Sequence, residues 1–474
     1  MNKLQLEPPL AAHEMAIANW KNQTVWVGDN LPIMRGMNSE SVDLIYLDPP
    51  FNSKTNYAAP IGSRAAGAAF KDTWGLTDVD HEWINLIEEK HPALYRVLLA
   101  AMTGSDKSYL VYMAARLLEM KRLLKSTGSI YLHCDPTMSH YLKLVMDAIW
   151  GRGNFLTEIS WQRTSSHNDG KQGRRQYGRV RDVILFYRQG KEWTWNQQYT
   201  PYDQSYIDAF YKFVEPETGR KYRLGDLTGR GGAAKGNPEY EVMGVIRYWG
   251  WSRDRMQREI DKGRVIQTKP GNVPQYKRYL DEMPGKPLQD QWTDISIILG
   301  KQRTGYRTQK PLKLLRRIVL ASSNPGDVVL DPFCGCATTC IAAELEGRLW
   351  TGIDLSPKAG ELIYDRMKRE VGLFYKGVVR TDIPLRSDLG SLPPYNCTAN
   401  KKLLYGEQGG DCAGCRTHFE LHHFDVDHII ARSKGGTDHL QNLQLLCGNC
   451  NDVKGNRGME YLMHKLQIRR GRNG

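Results

Sequence analysis

Hydrophobic residues recur along the first third of the chain in short runs that alternate with stretches of helical spacing. The runs at 24–28, 42–47 and 129–133 are rich in β-branched and apolar residues and predict strands. Alternation of this kind is typical of a mostly parallel, doubly wound α/β sheet. Ahead of the third run, apolar residues at intervals of three and four predict one face of a helix: Leu110, Met113, Leu117, Met120 and Leu124.

A second block with the same pattern begins after Asn324-Pro325-Gly326. The segments 328–330 and 349–353 predict strands, 338–345 predicts a helix, and a further helix is expected after Pro357. We therefore expect both blocks to contribute to one sheet.

The region between the blocks, residues 157–308, loses this alternation and gains glycine, arginine and aromatic residues, which predicts an inserted recognition region. A second boundary is expected near 387–396, where Gly390, Pro393 and Pro394 interrupt any helix. The predicted organisation is an α/β domain in two halves, an insert, a linker and a small C-terminal domain: 1–156 and 309–385, 157–308, 386–403 and 404–474.

The charge is concentrated in the insert. The chain carries a net charge of +13, and residues 157–310, with 28 basic and 18 acidic side chains, hold +10 of it. The same stretch contains 21 of the 46 aromatic residues. Basic groups neutralise phosphates and flat rings stack on bases, so we expect double-stranded DNA as the partner, although RNA stays open. A homodimer is a further open alternative.

The remaining composition excludes a membrane protein and a disulfide scaffold. No run of eighteen uncharged apolar residues occurs, and the N-terminus lacks the apolar segment of a secretion signal, so we expect a soluble, cytoplasmic protein. Four of the nine cysteines form two Cys-x2-Cys pairs near the C-terminus. That spacing indicates metal binding in a reducing compartment.

One predicted strand end, Asp331-Pro332-Phe333-Cys334-Gly335, has features of a loop that binds a nucleoside cofactor. Gly335 would let the backbone approach such a cofactor closely, and a helix follows at once. Asp354, about twenty residues on, ends the next strand and is placed to meet ribose hydroxyls. The spacing alone would also suit a dinucleotide fold.

A second predicted strand end, Asp48-Pro49-Pro50-Phe51, supplies side chains that suit the transfer of a methyl group to an aromatic amine. Such an amine is a poor nucleophile because its lone pair is delocalised into the ring. The Asp48 carboxylate, with a backbone carbonyl aimed by the rigid Pro49-Pro50 turn, could accept hydrogen bonds from that amine. Phe51 offers a face on which a base turned out of the duplex can stack.

These two motifs, in this order and with a basic region between them, resemble the amino-methyltransferase group of DNA methyltransferases in its β arrangement, over about residues 20 to 380. The resemblance implies a seven-stranded α/β sheet, S-adenosylmethionine as methyl donor and a catalytic role for Asp48, Pro49, Pro50 and Phe51. It also implies that the cofactor pocket is lined by Asp29, Lys310, Asp331, Phe333, Gly335 and Asp354.

Two details refine this expectation. The family usually has glycine where this chain has Ala337, and alanine disfavours positive φ, so we expect weaker or rearranged cofactor contact there. The tetrad Asp48-Pro49-Pro50-Phe51 begins with aspartate, whereas N4-cytosine enzymes more often have serine at that position. The resemblance therefore favours adenine N6 as the target.

The C-terminal cysteines Cys412, Cys415, Cys447 and Cys450 can close a tetrahedral zinc site. Four thiolates leave no open position, so we expect a structural ion that folds a segment with little core of its own.

Residues around these pairs resemble the HNH nuclease group, with a ββα fold, over about 404 to 460. The resemblance implies that His428 is the general base, that Asn442 holds its loop, and that Asp427 and Asn451 bind a catalytic divalent ion such as Mg²⁺. Histidine is commoner at the position of Asn451, but an amide oxygen can bind a hard cation.

The sequence thus predicts a bifunctional enzyme of a restriction-modification system, which methylates adenine in DNA and cuts DNA through its C-terminal module. Two alternatives stay open. One is an N4-cytosine methyltransferase with a zinc module that only binds DNA, and the other is a restriction nuclease that uses S-adenosylmethionine as an effector.

Overall fold

The computed structural model describes residues 18–52, 57–58, 69–70, 84, 87–164, 175, 177–298, 309–372, 376–389, 392–434 and 437–472. The chain forms two compact units. One comprises Met1–Asn196 and Asp290–Gly474, and the other comprises Gln197–Gln289. Within the described ranges, no helix has the length and apolar character needed to cross a membrane.

The strands of the described residues are β1 (Thr24–Val27), β2 (Val42–Leu47), β3 (Tyr57–Ala58), β4 (Ala69–Phe70), β5 (Leu124–Cys134), β6 (Phe155–Gln162), β7 (Arg181–Arg188), β8 (Tyr199–Thr200), β9 (Phe213–Val214), β10 (Lys221–Asp226), β11 (Glu239–Val242), β12 (Val245–Tyr248), β13 (Val265–Ile266), β14 (Gln275–Tyr279), β15 (Lys286–Pro287), β16 (Gln291–Trp292), β17 (Val328–Asp331), β18 (Leu349–Asp354), β19 (Val378–Arg380), β20 (Phe424–His428) and β21 (Leu443–Cys447).

The α-helices of the described residues are α1 (Asn30–Gly36), α2 (Pro92–Leu99), α3 (Gly104–Leu123), α4 (Ser139–Trp150), α5 (Gln204–Phe210), α6 (Arg253–Asp261), α7 (Leu312–Ser322), α8 (Thr338–Leu345), α9 (Pro357–Glu370), α10 (Thr398–Gln408), α11 (Gly448–Lys454) and α12 (Met459–Arg472).

A nine-stranded sheet in the order β16-β6-β7-β5-β2-β17-β18-β1-β19 forms the centre of the first unit. Strand β7 is antiparallel to both of its neighbours, and the other adjacent strands are parallel. The seven interior strands match the predicted number, and the short strands β16 and β19 extend the two edges. The two sequence blocks therefore interleave, with β17 and β18 between β2 and β1.

The central strands are buried because helices cover the sheet. All six residues of β2 are buried, as expected for a parallel strand covered on both faces. Helix α3 begins after Thr103, whose side chain accepts a hydrogen bond from the Asp106 amide, and it contributes Leu110, Met113 and Leu117 to the core. The sheet is therefore a rigid support for the loops at the carboxyl ends of its strands.

The predicted elements of both blocks are present, and the helix at 338–345 coincides with α8, but Leu124, predicted on a helix face, is the first residue of β5 because α3 ends at Leu123. The predicted start of the insert at 157 falls inside β6, and β6 and β7 belong to the main sheet. Their hydrophobic runs are flanked by charged residues, which hid them within the basic region.

The second unit, Gln197–Gln289, is smaller than the predicted insert. It contains a four-stranded antiparallel sheet in the order β13-β14-β10-β9 and the hairpin β11–β12. A small apolar core stabilises it, formed by Leu227, Tyr240, Val242, Trp249, Met256 and Val265. The predicted boundary at 308 lies outside the described residues.

The C-terminal module has the expected ββα arrangement, with β20 and β21 antiparallel and α11 following directly. Its own core includes Phe424, Leu445 and Leu462. Helix α10 carries Glu407, which forms an ion pair with Arg35 of α1.

The segment predicted as a linker, 386–403, packs against the α/β domain rather than crossing solvent. Asn38 and Ser387 exchange two hydrogen bonds of 2.8 and 2.9 Å, and the Ser39 amide donates to Asp388 at 2.8 Å. Leu403 of α10 packs on the core of the sheet domain. The described part of this segment is thus an ordered connection.

Candidate functional site

The two candidate loops leave the carboxyl ends of neighbouring parallel strands. Strands β2 and β17 pair with Leu330 opposite Ile45, so Asp48 and Asp331 emerge side by side from the same edge of the sheet. The negative charge of Asp48 also contributes to raising the pKa of Asp331, as expected for nearby carboxylates. The structure therefore brings together the two motifs that are far apart in sequence.

Only one of the two oxygens of the Asp48 carboxylate has a hydrogen-bond partner among the described residues. Its Oδ2 accepts a hydrogen bond of 2.5 Å from the Lys310 ammonium, and both side chains are almost buried. Its Oδ1 is also buried but has no hydrogen-bond partner among the described residues. An unpaired buried acceptor costs about 1–3 kcal/mol, and a donor arriving at Oδ1 would relieve that cost.

Lys310 therefore contacts Asp48, the candidate catalytic residue. The resemblance placed it in the cofactor pocket, whereas the structure shows its ammonium on Asp48 and 5.4 Å from the centre of the Phe51 ring. Paired with Lys310, the carboxylate keeps one oxygen fixed and presents the other. Phe51 is partly exposed and stacks on His133, with ring centroids 6.0 Å apart and an interplanar angle of 27°.

The loop after β17 is held by its own carboxylate. Asp331 accepts hydrogen bonds from the Phe333 amide at 3.1 Å and the Thr339 hydroxyl at 2.5 Å. Burial raises the pKa of Asp331 to about 7 in spite of these bonds, and the charges of Asp48 and Asp354 add to the rise. A positively charged group bound beside this loop would be favoured electrostatically.

Asp354 closes the same loop from the end of β18. It accepts hydrogen bonds of 2.9 Å from the Gly335 and Ser356 amides. Burial raises the pKa of Asp354 to about 6, against these two bonds. Gly335 has a φ of +53°, which favours glycine, so its residue type follows from the turn itself.

Ala337 also adopts the left-handed region, with φ 56° and ψ 37°. The sequence predicted rearranged contact here because alanine disfavours that conformation, but the backbone makes the turn all the same. Alanine in this region costs about 1–2 kcal/mol. The buried Arg366 guanidinium helps to hold the turn by donating to the Cys336 carbonyl at 2.8 Å.

Asp29 caps helix α1 by accepting from the Leu31 amide at 3.0 Å, and it pairs with Arg116 at 2.7 Å. The neighbouring Asn30 donates to the Pro332 carbonyl at 2.7 Å and so connects α1 to the loop after β17. The start of α1, Asp29 included, therefore adjoins the Asp331 loop.

The four predicted zinc ligands converge. The sulfur atoms of Cys412, Cys415, Cys447 and Cys450 all lie within 4.8 Å of one another. That arrangement fits a tetrahedral ion bound by thiolates. It also ties the loop before β20 to the start of α11.

His428, at the end of β20, has an oriented imidazole. Its Nε2 lies 2.8 Å from Asp438, whose pKa is lowered to about 2 by hydrogen bonds from Arg432 and His428. Asn442 holds the loop after His428 through three hydrogen bonds, with the Ile430 amide, the Ile430 carbonyl and the Thr437 carbonyl. Asn442 thus contacts the loop that follows His428, and the role of His428 as general base stays a prediction.

The two predicted ligands of the catalytic ion are paired with other residues. Asp427 contacts the fully buried Lys454 ammonium at 3.0 Å and the Gln444 amide at 2.8 Å. Asn451 donates to Asp425 at 3.2 Å. Asp427 and Asn451 thus have separate partners, and their metal-binding role stays a prediction.

Sequence reasoning missed several polar residues around both sites. His133 and Asp182 lie near Phe51, and Asp438 and Lys454 lie beside His428. A charged residue within a hydrophobic run, as in Asp182 before Val-Ile-Leu-Phe, was the available signal for the first pair. The second pair carried no comparable signal.

Comparison with known proteins agrees with this geometry. The model of the DNA methylase family matches residues 42–365, and the chain therefore belongs to that family. Residues 412–457 match the HNH endonuclease family, so the C-terminal module is an HNH domain.

Three curated proteins are similar along most of the chain. The type II methyltransferase M.EcaI of Enterobacter cloacae is 29% identical, over 73% of this chain and 69% of its own length. The Mod subunit of the type III restriction-modification enzyme StyLTI of Salmonella typhimurium is 27% identical, over 81% and 61%. The DNA adenine methyltransferase YhdJ of Escherichia coli is 26% identical, over 70% and 79%.

Proposed function

We propose that this protein transfers a methyl group from S-adenosylmethionine to the N6 amine of adenine in double-stranded DNA. The observation that supports it best is the unpaired, buried Oδ1 of Asp48, which lies at the edge of the sheet beside the Asp331 loop. Adenine is favoured over cytosine because the tetrad begins with aspartate, and one relative is named as an adenine methyltransferase.

The negative charges of Asp331 and Asp354 complement the positive charges of this cofactor. Bound S-adenosylmethionine supplies an electrophilic methyl group on a positively charged sulfur and carries an ammonium group. Asp331 is buried and Asp354 is partly buried, both carboxylates have raised pKa values, and a cation beside them would stabilise their charged forms. Gly335 and the start of α8 allow close approach of the backbone.

The reaction then depends on how the chain orients the amine. Asp48 Oδ1 accepts an N–H of the adenine amine and draws electron density towards nitrogen as the new bond forms. Lys310 fixes the other carboxylate oxygen, so the acceptor is positioned before the base arrives. Phe51 provides the stacking face for the extruded base.

The decisive experiment incubates the protein with DNA and labelled S-adenosylmethionine and then analyses the nucleosides by mass spectrometry. N6-methyladenine is the expected product. N4-methylcytosine would replace the adenine assignment, and an absence of any methylated base would contradict the proposal.

The raised carboxylate pKa values predict that S-adenosylmethionine binds more tightly as the pH rises. The cation favours ionised Asp331 and Asp354, which in the free protein take up protons below about pH 7 and pH 6. The dissociation constant measured by calorimetry should fall by about tenfold between pH 5.5 and 7.5. S-adenosylhomocysteine, which lacks the sulfonium charge, is the matched ligand and should show a smaller change. Equal pH dependence for both ligands would contradict this electrostatic account.

We also propose that the HNH domain cuts DNA with a divalent ion such as Mg²⁺ and forms, with the methyltransferase, a restriction-modification enzyme. The His428–Asp438 contact supports this second activity, because a carboxylate that orients an imidazole suits a general base. The second unit, with its basic and aromatic residues, is proposed to read the DNA sequence.

Replacing His428 by alanine is expected to reduce Mg²⁺-dependent cleavage of plasmid DNA by about 10²- to 10⁴-fold, since the base that activates water is lost. His422→Ala is the matched control, because His422 lies in the same module and is largely exposed. If the unchanged protein and His428→Ala both fail to cut, the module binds DNA without cleaving it.

A further inference from the structure

A buried chain of hydrogen bonds lies directly behind the stacking face. The imidazole of His133 is completely buried. Its Nδ1 is 2.8 Å from the Tyr46 hydroxyl, and its Nε2 is 3.1 Å from Asp182 Oδ2. The other oxygen of Asp182 is 3.3 Å from Arg163 Nε. The chain thus joins three strands, β2, β5 and β7, at the edge that carries Asp48.

The protonation of these groups follows from their partners. Burial raises the pKa of the Tyr46 hydroxyl well above its usual value, so this hydroxyl keeps its proton, and it lies within hydrogen-bond distance of Nδ1. Burial also acts to raise the pKa of Asp182, but the His133 hydrogen bond and the charges of His133, Lys310 and Arg163 outweigh it and leave the pKa lowered. Asp182 is therefore an anion that accepts from Nε2, and both ring nitrogens are satisfied.

Ring contacts fix the same imidazole. Trp161 meets it edge-on, with centroids 5.7 Å apart and an angle of 88°, and Phe51 stacks on it. A ring that is held by two hydrogen bonds and an edge-on indole has one orientation available. Phe51 therefore rests on a fixed plane, although it lies in a loop.

We propose that His133 is a positioning residue for methyl transfer, which holds the Phe51 ring so that the extruded base stacks with its amine at Asp48 Oδ1. This inference rests on the function proposed above. The tyrosine and aspartate partners act through His133, since each fixes one of its nitrogens. Replacement of His133 should therefore disturb the placement of the base and leave the affinity for the cofactor unchanged.

The test is a double-mutant cycle of His133→Gln and Phe51→Leu. Glutamine retains a donor for Asp182 but removes the flat ring. His133→Gln alone should lower kcat by about tenfold and leave the dissociation constant of S-adenosylmethionine unchanged, since it disturbs the base rather than the cofactor. In the Phe51→Leu background, the same change should have almost no further effect, because the ring on which it acts is gone.

A spectroscopic signal reports base placement directly. DNA with 2-aminopurine at the target position, which is first identified by sequencing methylated DNA, should show weaker fluorescence enhancement with His133→Gln than with the unchanged protein. Tyr131→Phe is the matched control, since it removes a buried hydroxyl from the same strand that contacts Ser322 rather than His133. It should leave the fluorescence and kcat unchanged.

Tyr46→Phe takes the place of His133→Gln in the cycle if that variant does not fold, because it deletes only the hydroxyl that fixes Nδ1. Additive effects in the cycle, or a fluorescence response that Tyr131→Phe shares, would overturn the positioning role. An unchanged protein that transfers no methyl group to DNA would instead overturn the proposed function, and this inference with it.

Discussion

Asp48→Asn is expected to lower methyl transfer to DNA by about 10²- to 10⁴-fold, the range found when a positioned acceptor or base is lost. The amide is a weaker acceptor than a carboxylate, and it leaves the Lys310 ammonium without its anion. Binding of S-adenosylmethionine should persist, because the Asp331 loop makes its own hydrogen bonds. Single-turnover transfer of labelled methyl groups and calorimetric cofactor binding measure the two quantities separately.

Asp43→Asn is the matched control for that variant. Asp43 lies at the opposite end of the same strand and is also nearly buried and paired with a lysine, Lys125, at 2.8 Å. Its replacement should lower thermal stability but leave the rate of methyl transfer unchanged. Equal losses of activity in both variants would show that Asp48 supports the fold rather than the reaction.

We expect the four clustered cysteines to bind one zinc ion, whose removal should unfold the HNH domain. Structural zinc contributes about 10–16 kcal/mol of binding free energy to such small domains, far more than their core provides. The purified protein should contain one zinc ion per chain by elemental analysis. Cys412→Ser, or a strong chelator, should abolish that content and expose residues of β20 and β21 to rapid hydrogen exchange.

Cys397→Ser provides the control for the zinc site. Cys397 lies at the start of α10 in the same part of the chain, where its sulfur accepts from the Asn400 amide at 3.5 Å, and serine can make the same cap. This variant should keep its zinc. A domain that stays protected from exchange after the metal is lost would contradict the structural role of the ion.

The sequence was sufficient to predict the sheet and the convergence of its two loops. Strands β2 and β17 are largely apolar, each leads into an Asp-Pro sequence at its carboxyl end, and this pattern leaves little freedom in how they pair. The zinc cluster was predictable for a similar reason, because the spacing of the four cysteines carries the geometry.

The partners of the site residues were not predictable. Lys310 was expected in the cofactor pocket from the resemblance, but its contact with Asp48 depends on how distant parts of the chain are arranged. The same holds for His133, which meets Asp182 only because β5 and β7 run antiparallel. Pairings of this kind are set by tertiary structure and leave no periodic signal.

The packing of 386–403 has a practical consequence for shortening this protein. A cut after 385 would look natural from the sequence, yet it would remove Ser387, Asp388 and Glu407 from their partners on the segment 35–39. The Arg35 guanidinium, which is nearly buried, would lose its contact with Glu407. An expression fragment intended to isolate the methylase should therefore retain α10, with Leu403 covering the apolar surface on which it packs.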